Sequence, residues 1–343
     1  MKSTNIIPIV SIVIINWNGK KYLEKCLFSL KKISFESVEI IVVDQNSTDG
    51  SQAFVKKEHP KIKLIENKKN TGYVEGNNLG VSIARGKYIL ILNNDIEVEK
   101  NFLEPLVEAF EKDKKLGVAQ PKAISLREKG KLDGGGSFFT KTGFLYHKGF
   151  MDNADKPEYN RKYPVYSVKG AYMMTRKNLW NKLGGLDPDF FIYFEETDYC
   201  GRVWIAGYKV MYIPNSIVYH WGGGDTNLDR KKRLHIVQYR SYRNRICSYI
   251  KNLSVHNLII VIPIHLLICQ IISLIYLLLA NFRISLAIQK AIFWNILNLP
   301  KTLEKRRFIQ KKIRKVGDEK IFRLVKFNPG MSFYLASFKF LLK

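Results

Sequence analysis

Two stretches of this 343-residue chain place acidic side chains where they can do chemistry. Glu195, Glu196 and Asp198 lie within four residues, directly behind the aromatic run 190–194. Carboxylates this close repel one another, and a helix start offsets about 0.3–1 kcal/mol of that for each. Apolar surroundings raise a carboxylate pKa toward the range useful for proton transfer, which makes the three candidate general bases. As a plain acidic first turn they would only begin a helix, with Asp198 pairing Arg202 one turn on. The second stretch is Asn93-Asn94-Asp95, which like Asp44 follows an apolar run. Asp44 can accept a bond from a base N–H or a ribose hydroxyl. Asp95 can hold a divalent cation that bridges a diphosphate, because hard cations bind through one or two carboxylates plus phosphate oxygens. An aspartate at a strand end also serves as a turn residue. His220 ends the short apolar strand 217–219 and precedes a glycine run, as a ligand, a loop-gated contact or plain polar surface.

The elements that must position these groups alternate. Residues 9–15, 38–43, 62–65 and 88–92 are β-branched or apolar runs that read as strands buried on both faces. Residues 20–31 and 73–84 have helical spacing, and Ser47, Thr48 and Asp49 offer caps to a helix reaching about residue 57. This βαβ series predicts a parallel sheet with helices on both faces and a ligand beyond the carboxyl ends of its strands. Those ends are Asn16-Trp17-Asn18-Gly19, Asp44-Gln45-Asn46-Ser47, residues 67–72 and Asn93-Asn94-Asp95, four polar ends in register. There is no GxGxxG or Walker A pattern, so a nucleotide would be held by side chains. Residues 165–175 read as a further strand, with Gly170 marking a close backbone approach.

Composition narrows the class. With 46% apolar and 25% charged residues, the chain reads as neither disordered nor polytopic. Four dispersed cysteines argue against disulfides or a zinc knuckle and for a reducing compartment. The polar N-terminal residues do not read as a signal peptide. The net charge of +26 is uneven: residues 226–343 hold 23 Lys+Arg against 4 Asp+Glu. That bias points to nucleic acid or an anionic membrane. An uncharged stretch, residues 252–282, favours the membrane and excludes nucleic acid as the partner. Within it, residues 258–280 are long enough to cross a hydrocarbon core of about 30 Å, although Pro263, His265 and Gln270 interrupt them. A single span would strand the basic tail on the far side, against the positive-inside tendency. A second leg at 284–299, or both segments at the interface, avoids this. A buried helix of a soluble domain remains the other reading. As a membrane anchor, everything beyond about Tyr249 is expected to be removable.

In this order, VSIVIINWNGKKYLEKCL, IIVVDQNSTDGS, NTGYVEGNNLG, LILNNDIEV, GAYMMTRKNLWNKLGGLDPDFFIYFEETDYCGRVWIAGY and HWGGGDT resemble the family 2 glycosyltransferases. They are most similar to the rhamnosyltransferase-like branch that builds bacterial surface polysaccharides. The likeness covers about residues 8–250. It implies a GT-A fold, a nucleotide-diphospho-sugar donor (rhamnose among the candidate sugars), Mn2+ or Mg2+, and inversion at the anomeric carbon. By the same likeness Asn16 and Asn18 line the nucleotide cleft, Asp44 meets the base or ribose, and Asn70, Gly72 and Asn77 belong to a second donor-side loop. Asn46 and Asn94 join this donor set. Asp95 matches the last residue of the DxD motif, His220 a histidine at the metal or diphosphate, and Glu196 the general base of a Glu-Asp pair. Three departures stand out: one carboxylate in Asn93-Asn94-Asp95, Gln45 for asparagine, and Glu196 for aspartate.

The organisation expected is a nucleotide-sugar half (1–105), an acceptor and catalytic half (106–228), a basic linker (229–256), apolar membrane-associating segments (257–300) and a basic tail (301–343). The function expected is inverting transfer of a sugar to a saccharide acceptor, often lipid-linked, at the cytoplasmic face of the cell membrane. The rivals are a sugar nucleotidyltransferase, which would show a basic glycine-rich loop where this chain has Asn-Trp-Asn-Gly, and a catalytically degenerate sugar-binding protein.

Overall fold

The computed structural model describes residues 7–222 and 227–330. Strands β1 (Val10–Asn16), β2 (Val38–Asp44), β3 (Lys63–Glu66) and β4 (Tyr88–Asn93) pair in parallel in the order β4-β1-β2-β3. Helices α1 (Lys20–Leu30), α2 (Ser51–Glu58) and α3 (Gly72–Ile83) make the crossovers. Alternate residues of β1 serve opposite layers. Ile12 and Ile14 pack with Leu23 and Leu27 of α1, whereas Val13 packs with Val74 and Val81 of α3. A strand that must bury both faces has no polar alternation, which is why the run is β-branched throughout. β1 meets β2 on one side and β4 on the other, so the topology switches direction between β1 and β4. That is where the crevice of such a sheet opens.

The second half of the sheet adds β5 (Ile96–Val98), β6 (Leu116–Ser125), β7 (Leu132–Gly134), the small hairpin β8 (Ser137–Phe138) and β9 (Tyr146–His147), then β10 (Tyr163–Pro164), β11 (Tyr172–Arg176) and β12 (Lys209–His220). Between them lie α4 (Leu103–Lys112), α5 (Lys177–Leu183) and α6 (Glu195–Ile205). β11 runs antiparallel between β4 and β6, and β12 runs parallel to β6. The strand expected at 165–175 is only Tyr172–Arg176. Lys169 turns the chain: its backbone N–H donates to Gln120 and its Nζ to Asp133, which leaves Gly170 in a turn before the strand. The short strand at 217–219 is instead the end of the 12-residue β12. Pro214 hid the connection, because proline inside a strand reads as a break; the pairing of β12 with β6 shifts register there instead.

Beyond β12 the described residues are mostly helical: α7 (Asn227–Asn252), α8 (Val255–Leu278), α9 (Phe282–Leu297), α10 (Leu299–Phe308), continued by a π-helical turn at Ile309–Ile313, and α11 (Asp318–Val325). α8 is long and apolar enough to cross a membrane by length and composition. α8 and α9 run antiparallel, with Ser273 opposite Ser285 (2.9 Å) and Gln289 donating to Gln270 (2.8 Å). The stripe of α8 formed by Val261, His265, Cys269, Ile272 and Tyr276 is buried, while Ile259, Leu267, Leu274 and Leu278 are exposed.

These helices are not a detachable anchor. Lys251 of α7, 1% exposed, forms ion pairs with Asp187 and with Asp198 of α6 (3.0 Å). Arg202 pairs Asp198 at 3.0 Å, as the i,i+4 spacing predicts, and Lys305 of α10 pairs both Asp187 and Asp189. A cut after Tyr249 would therefore remove the cation at the centre of a buried cluster. All four cysteines are buried and free.

Removing one partner of a buried pair leaves an uncompensated charge, so Lys251→Met is expected to destabilise the protein by about 3–5 kcal/mol, read as a lowered urea midpoint. The charged cluster holds the Asp187 and Asp198 carboxyls below the ordinary range despite burial. Their contribution is thus present above that range and lost as pH falls below about 4, so wild type and Lys251→Met should converge in stability in acid.

Candidate active site

The polar ends of β1, β2 and β4 are joined by a chain of hydrogen bonds. Asn94 donates to Asn16 Oδ1 (2.7 Å), and Asn16 donates to Asp44 Oδ2 (2.8 Å). Asp44 also accepts from the Ser47 backbone (2.8 Å), the Ser47 hydroxyl (2.7 Å) and Gln52 Nε2 (2.7 Å). Four donors fill its two oxygens. A base or ribose reaches Asp44 only in place of one of them, and half-buried Gln52 of α2 is the donor best placed to yield. Asn18, with φ 49°, accepts from the Thr48 backbone (2.8 Å) and so ties the first strand end to the second. Gly19 between them admits no side chain, since a Cβ there would lie 2.1 Å from Asn94 Nδ2. Asn46 is exposed in a left-handed conformation at the rim.

The donor-side loop is organised by Gln45, whose Oε1 accepts from Asn67 and from the Thr71 backbone and hydroxyl. Asn70 caps the turn by accepting from the Gly72 backbone (2.9 Å). Gly72 has φ 90° and lies against the Phe191 ring, so its backbone and its space both require glycine. Asn77 is fully buried, donates to the Tyr73 carbonyl one turn back in its own helix and lies beside the Tyr73 side chain.

Asp95 and His220 do meet. Antiparallel pairing of β12 with β5 sets His220 opposite Ile96, and His220 Nε2 lies 3.4 Å from Asp95 Oδ1. His220 Nδ1 faces Asp133 Oδ2 at 2.8 Å, and that oxygen also accepts from Tyr172 (2.8 Å) and Lys169 (2.7 Å). Burial opposes charging His220, but its bonds to Asp133 and Asp95 prevail and push it up to about 9. Sequence reading missed Asp133, although an acid set directly before Gly134-Gly135-Gly136 was a visible signal. Gly223 and Gly224, the rest of the glycine run after His220, lie outside the described residues.

The acid pair approaches from the other face. Tyr193 and Phe194 adopt left-handed conformations (φ 74° and 69°), then α6 begins at Glu195. Asn244 of α7, fully buried, holds this bend by donating to the carbonyls of Ile192 (3.1 Å) and Tyr193 (2.7 Å). Glu195 is buried, and its Oε2 has no partner among the described residues. Burial, then the neighbouring Glu196, push its carboxyl well above the usual range; burial also raises half-buried Glu196. Asp198 points away into the Lys251–Arg202 cluster and stands apart from the pair. Tyr73 joins the two faces: its hydroxyl donates to the Gly170 carbonyl (3.0 Å) and feels the charges of Glu195, Glu196 and Asp95 together.

Among the described residues no three His, Cys, Asp or Glu side chains form a ready-made cage for a metal. Asp95 and His220 could form a two-donor set for a cation taking its remaining ligands from a diphosphate, the cation replacing the proton that the imidazolium carries on Nε2.

This sheet, with its crevice at a topological switch, defines a GT-A fold. It is shared with GalNAc-T7 solved with UDP, GalNAc and Mn2+ (TM-score 0.54, 18% identity, covering 71% of this chain and 48% of that one). It is shared also with a mannosyltransferase from Pyrobaculum calidifontis solved with GDP-Man and Mn2+ (TM-score 0.53, 15% identity, 85% and 76%). The family model for glycosyl transferase family 2 matches residues 11–199, more than half of the chain, and the chain belongs to that family. It is 22% identical over 260 residues to the N-acetylglucosaminyl-diphospho-decaprenol L-rhamnosyltransferase of Mycobacterium tuberculosis, covering 67% of this chain and 81% of that one. Glycosyltransferase GlyG of Streptococcus pneumoniae is 33% identical over 110 residues, 31% of this chain and 36% of its own length. The chain thus spans only about a third of that relative.

Two substitutions test the site. Asp95→Ala is expected to abolish Mn2+-dependent binding of nucleoside diphosphate, measured by calorimetry, with the unfolding midpoint little changed. Asp133→Asn leaves the first ligands in place but loosens His220, and should weaken Mn2+ affinity about 10–100-fold, as loss of an outer-shell partner does.

Proposed function

We propose that the chain is an inverting glycosyltransferase that moves a sugar from a nucleotide-diphospho-sugar to a saccharide acceptor, lipid-linked and held at a membrane. The observation that carries this reading is that Tyr73 Oη, Glu196 Cβ and Glu195 Oε1 all lie within 4 Å of the space beside Gly170, whose neighbour Ala171 is bonded to Asn93 at the carboxyl end of β4, two residues before Asp95. Donor-side groups come from the strand ends, and the acids come from α6.

In this reading Asn16, Asn18, Asp44, Asn46, Asn70 and Asn94 bind and orient the nucleotide, with Gln52 moving aside. Asp95 and His220 would hold a divalent cation, which supplies charge neutralisation for the departing nucleoside diphosphate. Glu196, half-buried and beside its more deeply buried partner, takes the proton from the acceptor hydroxyl. Burial strengthens it as a base. Glu195, whose more deeply buried carboxyl holds its proton to higher pH, has an unpartnered oxygen and is the second candidate for the same role. One direct displacement inverts the configuration.

The acceptor side supports a membrane setting. α8 and α9 expose Leu267, Leu274, Leu278, Leu286, Phe293 and Leu297 to solvent, on a region whose net charge is strongly positive. Anionic lipid attracts each nearby Lys or Arg by about 1 kcal/mol. The buried stripe on α8 favours a hairpin that lies in the interface, over a single span. The mycobacterial relative's name specifies a diphospho-decaprenol acceptor, in keeping with this placement. Rhamnose is the donor sugar that relative suggests.

A panel of UDP-, TDP- and GDP-sugars, with and without Mn2+, tests the reaction class through release of nucleoside diphosphate; no release with any donor would remove it. Glu196→Gln should lower transfer by about 100-fold or more while leaving donor affinity within a few-fold. Because the base is lost as pH falls through its raised pKa, the acid limb of the rate profile should lie above the ordinary glutamate value of about 4.3.

A further inference from the structure

Among the described residues, Arg245 of α7 is a cation without an ionic partner. Its guanidinium stands 4.6 Å from the ring centroid of Phe144, 5.2 Å from Phe194 and 5.7 Å from Tyr242. Its Nε is buried with no hydrogen-bond partner, and among the described residues no carboxylate lies within ion-pair distance. Other cations of the same region are engaged: Arg243 with the Asp189 carbonyl, Lys251 with Asp187 and Asp198, Lys305 with Asp187 and Asp189, while Arg240 stacks on the Phe191 ring. Stacked rings satisfy the faces of a guanidinium and leave its N–H edge available, and that planar fork matches a carboxylate or phosphate bidentately.

Position says which anion. On one side Phe194 is the residue directly before Glu195. On the other, Phe144 packs on His265 of α8 at 4.6 Å, and α8 exposes its apolar stripe on its opposite side, with Leu278 77% exposed. Burial, and after it the charges of Lys169 and Arg245, push His147 of the intervening hairpin down to about 4. A molecule with its apolar chain along α8 and α9 and its reacting hydroxyl at the acid pair carries its phosphate between the two, where Arg245 stands.

We propose that Arg245, caged by Phe144, Phe194 and Tyr242, receives a phosphate of a polyprenyl-phosphate or diphosphate-linked acceptor and so sets the register between lipid and acid pair. This rests on the transferase reading above for the role of the acids, but not for the binding itself. The probe is farnesyl diphosphate against farnesol, titrated into full-length protein in maltoside micelles. Wild type should bind the diphosphate at least about tenfold more tightly, the scale of a charge-assisted bidentate contact. Arg245→Gln should lose that discrimination, and Arg245→Lys should keep part of it, which separates lost charge from lost packing. Equal binding of the two probes by wild type, or full discrimination by Arg245→Gln, would overturn the proposal. Vesicles of phosphatidylglycerol and of phosphatidylcholine separate the acceptor from bulk lipid. If Arg245→Gln loses its preference for phosphatidylglycerol while still discriminating between the farnesyl probes, the residue serves headgroups and the proposal falls. Absence of donor turnover with farnesyl discrimination intact would instead sink the transferase reading alone.

Discussion

Lys251 lies in the interior between two aspartates, and the arrangement of the acid pair depends on that burial. A lone ammonium in the interior would be costly by several kcal/mol, and so would Asp187 and Asp198 without it. Together with Arg202 and Lys305 they neutralise one another, and each charge is tolerable only because segments up to 118 positions apart arrive at one point. Asp198 belongs to α6, the helix that begins with Glu195 and Glu196. The C-terminal helices therefore fix where the acids stand. What reads along the chain as an anchor is, in three dimensions, part of the wall of the site.

The same helices hold a strained bend. Two successive left-handed non-glycine residues, Tyr193 and Phe194, cost on the order of 1–3 kcal/mol each. Such a bend persists when its surroundings over-determine it. Asn244 bonds the carbonyls of Ile192 and Tyr193, Arg240 stacks on Phe191 at 4.1 Å, and Phe191 fills the space that Gly72 leaves open. The result fixes Glu195 and Glu196 at the start of α6, with Glu195 Oε1, Glu196 Cβ and the Tyr73 hydroxyl gathered around Gly170. Pre-organisation of this kind is worth most where water is excluded, and burial of Glu195 shows the same exclusion in its raised pKa.

Across the crevice the logic is opposite. His220 stands between Asp95 and Asp133; burial works against ionisation of Asp133, but His220 and Lys169 hold its carboxyl well below the usual range, and Tyr172 donates to the same oxygen. The positive imidazole balances this charge, and a cation bound at its Nε2 would replace the proton there. One side of the crevice thus stores protonatable carboxyls and the other stores charge-balanced ones. Environment, more than residue type, divides donor chemistry from acceptor chemistry.

Much of this was legible along the chain. The β-branched runs, the polar strand ends and the acidic start of a helix are local patterns, and local patterns follow from burial on both faces, turn chemistry and the helix dipole. They located β1 to β4, Asn16, Asp44, Asp95 and the Glu195–Glu196 pair. Asn244, Arg245 and Lys251 were not legible as site residues, because each acts on a group at least 50 positions away and its own neighbours carry no trace of the partner; Asp133 carried a local signal, the glycines behind it, but its partner His220 lies 87 positions on. Asp198 shows the converse: its spacing from Arg202 was read correctly, yet whether it faces the crevice or the interior depends on where α7 packs. Sequence determined the elements and the polarity of their ends; packing of distant helices decided which carboxylates stay charged, because a buried charge takes its state from whatever the fold sets beside it.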